Sequence, residues 1–375
     1  MARAPDDVPD ALLRLSLCPE VGPAFLHDSH AALGSHEAVV AASDAALRSL
    51  PRMGAQRVSA LRAALATVDV GRERARMRAC GVRALVLGDP DYPSLLAPLP
   101  HPPWLLWVRG RPEAARADAA AVVGSRNPTA YGRSQAARFA GAAATAGVTV
   151  VSGGARGIDA EAHRAALRAG GATVAVLGCG LANPYPAEHA PLFEEIVGSG
   201  GLVASEFPCD WPPLPSNFPR RNRIVSGLSL AVLVVEAARA SGALITARIA
   251  VEDHGRQACA IPGPVDSARS AGCNLAIREG WAEPVLCPED LVAAVHASSE
   301  RAGGAPAANG PCRDVDPELA TLVDAVADAM RRLPGATLDE LAAAVPGAAP
   351  RIAAVRTLAE LALAGAPAGQ VQPMA

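Results

Sequence analysis

The sequence predicts an α/β protein whose central domain is built on a mostly parallel β-sheet. Between residue 119 and about residue 295, short apolar runs rich in Val and Ala alternate with helical segments. Such alternation is typical of βαβ units, whose parallel sheet is covered by helices on both faces. Helical patterns precede and follow this region. We therefore expect an α/β core flanked by two smaller helical parts.

The predicted strands are six apolar runs and one weaker candidate. In a parallel sheet of this kind, ligands bind outside the carboxyl ends of the strands, so the residues just after each run are the candidates for a site. The runs cover residues 119–124, 148–152, 173–178, 202–206, 230–236 and 258–262, with 284–286 as the weaker one.

The helical parts predict the domain boundaries. Residues 1–70 form a helical domain with glycine-bearing turns at 19–23 and 50–54, either helix-hairpin-helix modules or an ordinary helical packing unit. A Pro-rich connector with edge strands follows at 87–110, within a domain that spans 71–297. Ser, Gly, Ala and Pro at 298–313 indicate a flexible linker, and the Ala-rich residues 314–375 are again helical.

Composition narrows the functional classes. No apolar run reaches membrane-spanning length and no signal peptide is evident at the N-terminus, so we expect a cytoplasmic protein with no membrane partner. The net charge is −3, so anion binding must come from a local cluster. The chain contains no lysine, and all 34 basic residues are arginine. That excludes a Walker A loop and Schiff-base chemistry, which both need a lysine.

Two predicted strand-to-helix turns carry glycines, a hydroxyl and an arginine. The first is Gly124-Ser125-Arg126. The second runs through Ser152, Gly153 and Gly154 to Arg156. Free backbone N–H groups at such turns favour an anion, and arginine can fork onto phosphate. The alternative is that these glycines only close tight turns; an arginine in both turns favours two adjacent phosphate sites.

The strongest local signal follows the fourth run. Phe218-Pro219-Arg220-Arg221-Asn222-Arg223 places three arginines at the predicted start of a helix. The framing by Asn222 and apolar residues favours a groove wall over a solvated charge run. A further turn from Ser241 to Thr246 lies on the same edge of the sheet.

Catalytic and cofactor sites are not predicted. The turn at 178–183 begins like a dinucleotide fingerprint but has Asn183 in place of the third glycine, so no nicotinamide cofactor is expected. Asp159 and His163 lie one helical turn apart, and we interpret them as a structural pair. We find no hydrolase or metalloprotease motif, and the eight cysteines show no C-x-x-C pair, so we expect no metal, no cofactor and no enzyme.

The motifs from residue 85 to 291 together resemble those of the DprA/Smf family of DNA-processing proteins. They include G-S-R, S-G-G-A-R-G-I-D, S-E-F-P, F-P-R-R-N-R and S-G-A-L-I-T-A, in that order. The resemblance implies an extended Rossmann fold, a homodimer, single-stranded DNA binding, protection of incoming strands and loading of the RecA recombinase during natural transformation. It also implies that Arg126, the Ser152-Gly153 turn, Arg221 and Arg223 line the DNA pocket.

The ends of the chain resemble the family's sterile-alpha-motif-like and winged-helix domains. The tail leaves little room for a wing, since residues 366–375 are few and hold two prolines. Aromatic residues are only 3% of the chain, so base stacking must use few candidates, with Tyr185, Phe218 and Tyr131 among them. A second interpretation is a nucleotide-binding or nucleoside-monophosphate phosphoribohydrolase protein related to the LOG enzymes, although their P-G-G-x-G-T signature is missing.

Overall fold

The structure is a computed structural model that describes residues 2–303. The chain divides into two compact units, residues 1–299 and 300–375. The predicted winged-helix-like domain at 314–375 lies outside the described residues, as do residues 304–313 of the predicted linker. Residues 298–303 were also assigned to that linker, but they continue the last described helix. Alanine, serine, glutamate and arginine there are compatible with a helix, so this part of the linker prediction is wrong.

Six helices form the N-terminal part. Serine and aspartate side chains cap three of them: Ser35, Ser43 and Asp69 accept hydrogen bonds from backbone N–H groups of the first turn. The helical segment therefore extends beyond residue 70. The helices are α1 (Asp10–Ser16), α2 (Pro23–Leu33), α3 (His36–Ala41), α4 (Asp44–Arg48), α5 (Ala55–Thr67) and α6 (Val70–Ala79).

In the part of the chain that the structure describes, nine strands form one sheet, in the order β1-β2-β6-β5-β4-β3-β7-β8-β9. Strands β3 to β9 pair in parallel, whereas β2 is antiparallel to both β1 and β6. This confirms the predicted mostly parallel sheet. The strands are β1 (Arg83–Val86), β2 (Leu105–Gly110), β3 (Ala119–Val123), β4 (Thr149–Ser152), β5 (Thr173–Leu177), β6 (Leu202–Ser205), β7 (Ala231–Val234), β8 (Gln257–Ala260) and β9 (Glu283–Pro284).

Helices cover both faces of the sheet, as expected for its central strands β3 to β7, which are buried along their whole length. Small alanines on α7 and α8 let these two helices pack closely against one face, and α10 and α11 pack against the other. The remaining helices are α7 (Ala130–Thr145), α8 (Ile158–Arg168), α9 (Ala190–Gly198), α10 (Asn217–Gly227), α11 (Gly242–Glu252), α12 (Ala271–Arg278) and α13 (Pro288–Gly303). Short 3-10 turns lie at Pro5–Asp7, Pro112–Ala115 and Ala187–His189.

The N-terminal helices share a hydrophobic core with the edge of the sheet. Leu12 and Leu13 of α1 pack in one cluster with Trp107 of β2 and Phe193 of α9. Buried Glu73 of α6 accepts hydrogen bonds from the Trp107 indole (2.9 Å) and from the backbone of Cys209 (2.9 Å). Residues 2–299 are therefore one compact unit. Within the described residues, no helix is both long and apolar enough to cross a bilayer.

The strand order reverses beside β3. From β3 the chain moves to β4 and then outward to β5 and β6, whereas β7 lies on the opposite side of β3 and leads to β8 and β9. A crevice opens at the carboxyl ends where the order reverses, which is where open α/β sheets bind their ligands. The predicted site turns follow β3, β4, β6 and β7 at this edge.

Candidate nucleic-acid interface

A cavity of about 370 Å³ lies at the point where the strand order reverses. Its walls come from the turns after β3, β4 and β7 and from the first turns of α10 and α11. The predicted site residues that line it are Gly124, Ser125, Arg126, Gly153, Phe218, Arg221, Asn222, Ser241 and Thr246. A smaller recess adjoins it and contains two more of the predicted residues, Arg156 and Tyr185.

Arg221 is the buried charge of the cavity, with only 5% of its surface exposed. Its Nη1 donates to the carbonyl of Val176 (2.6 Å), whereas its buried Nε has no hydrogen-bond partner. The guanidinium lies directly over Gly153, where a Cβ would come within 1.9 Å of Nη1. Burial lowers the pKa of Arg221, and the neighbouring Asp159 opposes that shift. Gly153 is thus required for the close approach of a positive charge to the β4 turn.

Asp159 organises the turn after β4. Its carboxylate accepts hydrogen bonds from the backbone N–H groups of Gly153 (3.1 Å) and Ala155 (3.3 Å). Burial raises the pKa of Asp159, while Arg221 and these N–H groups act in the opposite direction. The sequence predicted that amides of this turn would be free for an anion, which is wrong for these two. The positive charge at the turn comes from Arg221 instead.

Glu236 has the same role at the turn after β3. Its buried carboxylate accepts hydrogen bonds from the Thr129 backbone (2.8 Å) and hydroxyl (2.7 Å), and its carbonyl accepts from Ser125 (2.8 Å). Thr129 in turn caps α7 through Gly132. Gly132 leaves the room that this carboxylate needs, because a Cβ there would lie 2.6 Å from its Oε2. These contacts of Glu236 therefore hold the loop that carries Arg126 in place.

Aromatic rings flank the exposed arginines at the mouth of the cavity. The Arg126 guanidinium lies 5.1 Å from the Phe218 ring centre, and that of Arg156 lies 5.7 Å from the Tyr185 ring centre. The two rings meet edge to face at 6.1 Å. Arg156 also pairs with Glu188 (2.5 Å). Flat apolar surfaces and guanidinium groups thus alternate along one rim.

Arg220 and Arg223 do not line this cavity. Both pair with Glu206, which follows β6, and Arg223 also donates to the carbonyl of His101 (3.0 Å). Arg126 and Arg221 therefore line one cavity, whereas the prediction that Arg223 faces the same groove is wrong. The reason is helical phase, because positions 220 and 223 project from the side of α10 opposite to Phe218 and Arg221.

The other predicted residues support the cavity walls. The Ser152 hydroxyl donates to Val122 (2.6 Å) and is fully buried, and Gly154 is buried against Phe193. Ser241 caps α11 by accepting from Ala243, and the Thr246 hydroxyl donates to Gly242 (3.3 Å). Asn222 donates to the same carbonyl (3.4 Å), which ties α10 to α11.

The sequence interpretation of Asp159 needs correction. Asp159 does not pair with His163, whose Nδ1 bonds to the Thr173 hydroxyl (2.7 Å). Burial lowers the pKa of His163 to about 3, so this imidazole is neutral. The sequence also did not identify Asp159 as the residue that holds the turn after β4, although it stands beside a glycine motif. Within residues 2–303, no group of three or more His, Cys, Asp or Glu is arranged to hold a metal ion.

Comparisons with known proteins identify similar sequences and structures. The family model for DNA recombination-mediator protein A matches residues 83–296. Protein Smf of Escherichia coli is 47% identical over 210 residues, which cover 56% of this chain and 55% of that protein. The putative DNA processing protein DprA of Mycobacterium tuberculosis is 42% identical over 278 residues, or 70% of this chain and 69% of that protein. The chain thus matches about half the length of some relatives and more of others.

Two solved structures resemble the fold. The DNA processing protein A of Streptococcus pneumoniae aligns with a TM-score of 0.63 at 29% identity, covering 78% of this chain and 98% of that one. The Helicobacter pylori protein, studied for its single-stranded DNA binding mode, aligns with a TM-score of 0.51 at 27% identity, covering 57% and 96%. The family match spans more than half of the sequence and includes every turn that borders the cavity. The chain belongs to the family of DNA recombination-mediator protein A, the DprA/Smf family.

Proposed function

We propose that the cavity binds single-stranded DNA and that the protein acts in DNA processing during natural transformation. In this role it protects incoming strands in the cytoplasm and passes them to the RecA recombinase, without catalysing a reaction itself. The observation that carries the proposal is that two arginines, exposed Arg126 and buried Arg221, line the same cavity. Guanidinium groups bind phosphate oxygens through paired, charge-assisted hydrogen bonds. Arg221 lines the same cavity as Arg126 and supplies a second, nearly buried positive charge there.

The shape of the site favours a single strand over a duplex. Phe218 and Tyr185 offer ring faces beside the arginines, and stacking on such rings needs bases that are not already paired. The cavity, at about 370 Å³, has the size of one nucleotide rather than of a duplex groove. The net charge of −3 gives no general attraction for DNA, so binding depends on this local cluster. The single-strand binding of the Helicobacter pylori relative supports the same assignment.

A titration tests the proposal directly. Purified protein is added to a fluorescent oligothymidylate, and anisotropy is followed at several salt concentrations. We expect saturable binding that weakens as salt rises, with a log–log slope of roughly −0.7 for each phosphate neutralised. An absence of binding at low salt would contradict the proposal.

The second candidate function is binding or cleavage of a free nucleotide, which the nucleotide-sized cavity at the reversal of strand order favours. Catalysis would need an activated nucleophile or a general base. Glu236 and Asp159 are instead engaged by backbone N–H groups. Incubating the protein with nucleoside monophosphates and measuring released base separates the alternatives. We expect no release, and release that disappears in Glu236→Gln would establish the enzyme.

Self-association belongs to the same proposal. Val265, which follows β8, is 94% exposed, and Leu286, which follows β9, is 74% exposed. Because β9 is the outermost strand of the described sheet, Leu286 lies at its edge, where the open side of a strand can pair with a second copy. The proposed homodimer contact lies at this edge. Sedimentation of Leu286→Asp alongside the unchanged protein tests the placement, since the variant should be monomeric.

A further inference from the structure

Glu206 binds two arginines on the rear of the site helix. It directly follows β6, and only 8% of its side chain is exposed. One carboxylate oxygen contacts the Arg223 guanidinium, and the other lies 3.5 Å from the Arg220 guanidinium. Arg220 also stacks over the ring of Phe207, 4.9 Å from its centre. Both arginines therefore already have a nearly buried anionic partner.

The helical phase of α10 separates these arginines from the cavity. Phe218, Arg221, Asn222 and Val225 line the cavity, at the i, i+3, i+4 and i+7 spacing of one helix face. Positions 220 and 223 project about 180° away, given 3.6 residues per turn. The front face thus meets the ligand, and the rear face meets Glu206.

The rear contacts also connect α10 to the rest of the fold. Arg223 donates to the His101 carbonyl (3.0 Å), in the connector that leads to β2. Through Glu206 and His101, α10 is fixed to the end of β6 and to this connector. Rotation of the helix about its axis would move Phe218 away from Arg126 and Arg221 away from Val176.

We infer that Glu206, Arg220 and Arg223 form a clamp that orients α10 and are positioning residues, not ligands of DNA. The inference rests on the proposed function, because it concerns how the single-strand site is built. If Arg223 left the clamp for a phosphate, the nearly buried Glu206 carboxylate would keep only its longer contact with Arg220 (3.5 Å), which is unfavourable. The clamp also accounts for S-E-F-P and F-P-R-R-N-R together: the glutamate of the first motif binds two arginines of the second.

Charge removal at Glu206 separates the clamp from the alternative, in which Arg220 and Arg223 grip DNA. If these arginines were DNA ligands, Glu206 would compete with phosphate, and Glu206→Gln would release them and tighten binding. If they form a clamp, Glu206→Gln loosens α10 and weakens binding. The two hypotheses therefore predict opposite changes in single-strand affinity for Glu206→Gln.

The experiment measures single-strand affinity and its salt dependence for the full chain and four variants. These are Glu206→Gln, Arg223→Ala, the double variant that combines these two changes, and the conservative Arg223→Lys. Arg248→Ala is the control, since Arg248 is an exposed arginine that pairs with Glu252 and lies outside the cavity. Thermal melting and hydrogen exchange of the α10 amides accompany each titration.

For the clamp we expect Glu206→Gln and Arg223→Ala each to weaken binding by about tenfold, as for coupled neighbours, with the double variant no weaker than either alone. The salt slope should stay unchanged, because no phosphate contact is lost. Exchange should rise in α10, and Arg223→Lys should restore part of the affinity because it keeps the charge beside Glu206.

Tighter binding by Glu206→Gln would overturn the inference. So would a slope that flattens by about 0.7 in Arg223→Ala, the value for one lost phosphate contact with a single strand. If Arg223→Ala fails to fold, Glu206→Gln and Arg223→Lys decide the question alone. A full chain that binds no single strand at all contradicts the proposed function instead, so the two failures are distinguishable.

Discussion

Arg126→Ala is the cleanest perturbation of the proposed site. Arg126 is exposed on the turn after β3, lines both the cavity and the adjoining recess, and contacts Phe218 at 5.1 Å. A hydrogen bond to a charged group contributes about 1.5–3 kcal/mol, so its loss should weaken single-strand binding by about tenfold to a hundredfold. One lost phosphate contact should also flatten the salt slope by about 0.7. Arg126→Lys keeps the charge but loses the two parallel N–H donors of the guanidinium, so its affinity for the single strand should lie between those of the unchanged protein and Arg126→Ala.

The fold should survive this change. Losing an exposed cation–π contact costs about 0.5–1 kcal/mol of the free energy of unfolding. Arg248→Ala is a matched control, because Arg248 is also exposed and lies 4.9 Å from a ring centre, that of Trp281, but it does not line the cavity. Anisotropy titrations of both variants at matched salt give the comparison. Equal loss of affinity in the two variants, or none in Arg126→Ala, would refute the assignment of Arg126.

Three further predictions follow from the buried contacts. Gly153→Ala should weaken single-strand binding by about tenfold or more, because the added Cβ would lie 1.9 Å from Nη1 of Arg221 and force this guanidinium to move. Gly141→Ala is the control: the atom nearest to its Cβ would be 3.9 Å away, so this variant should bind normally in the same titration. Glu236→Gln removes the charge and one of the two acceptor oxygens that bind Thr129, and it should lower the free energy of unfolding by about 1–3 kcal/mol in urea, whereas an unchanged midpoint would contradict its anchoring role. Burial lowers the pKa of His36 to about 4, below the unfolded value, so stability should fall as pH drops from about 6.5 towards 4. His36→Gln should reduce that pH dependence in urea denaturation, and an identical dependence would contradict it.

The centre of the sheet was predictable because strands β3 to β7 are buried along their whole length. The apolar runs rich in Val and Ala predicted the ends of β3 to β8 to within one or two residues. The connector at 87–110 was predicted only as a carrier of edge strands, and β2 instead lies between β1 and β6 with Trp107 fully buried. Its prolines hid this strand, because they lie before it and dominate the composition of the segment.

The location of the site was predictable from topology, but the tasks of individual residues were not. Strand ends on one edge of a parallel sheet must meet, which brought Arg126, Gly153 and Arg221 together. The separation of Arg221 from Arg223 depends on the phase of α10 and on a carboxylate 17 residues before Arg223 in sequence. Likewise, the use of turn amides by Asp159 depends on the backbone path of the turn and not on residue type.

The most direct test of the account compares a single strand with a duplex of equal length and sequence, over a series of salt concentrations. Exposed rings and guanidinium groups at a nucleotide-sized cavity predict clear preference for the single strand, with affinity that falls steeply as salt rises. Equal affinity for the duplex, or a response that is flat with salt, would contradict the claim that this cavity binds single-stranded DNA.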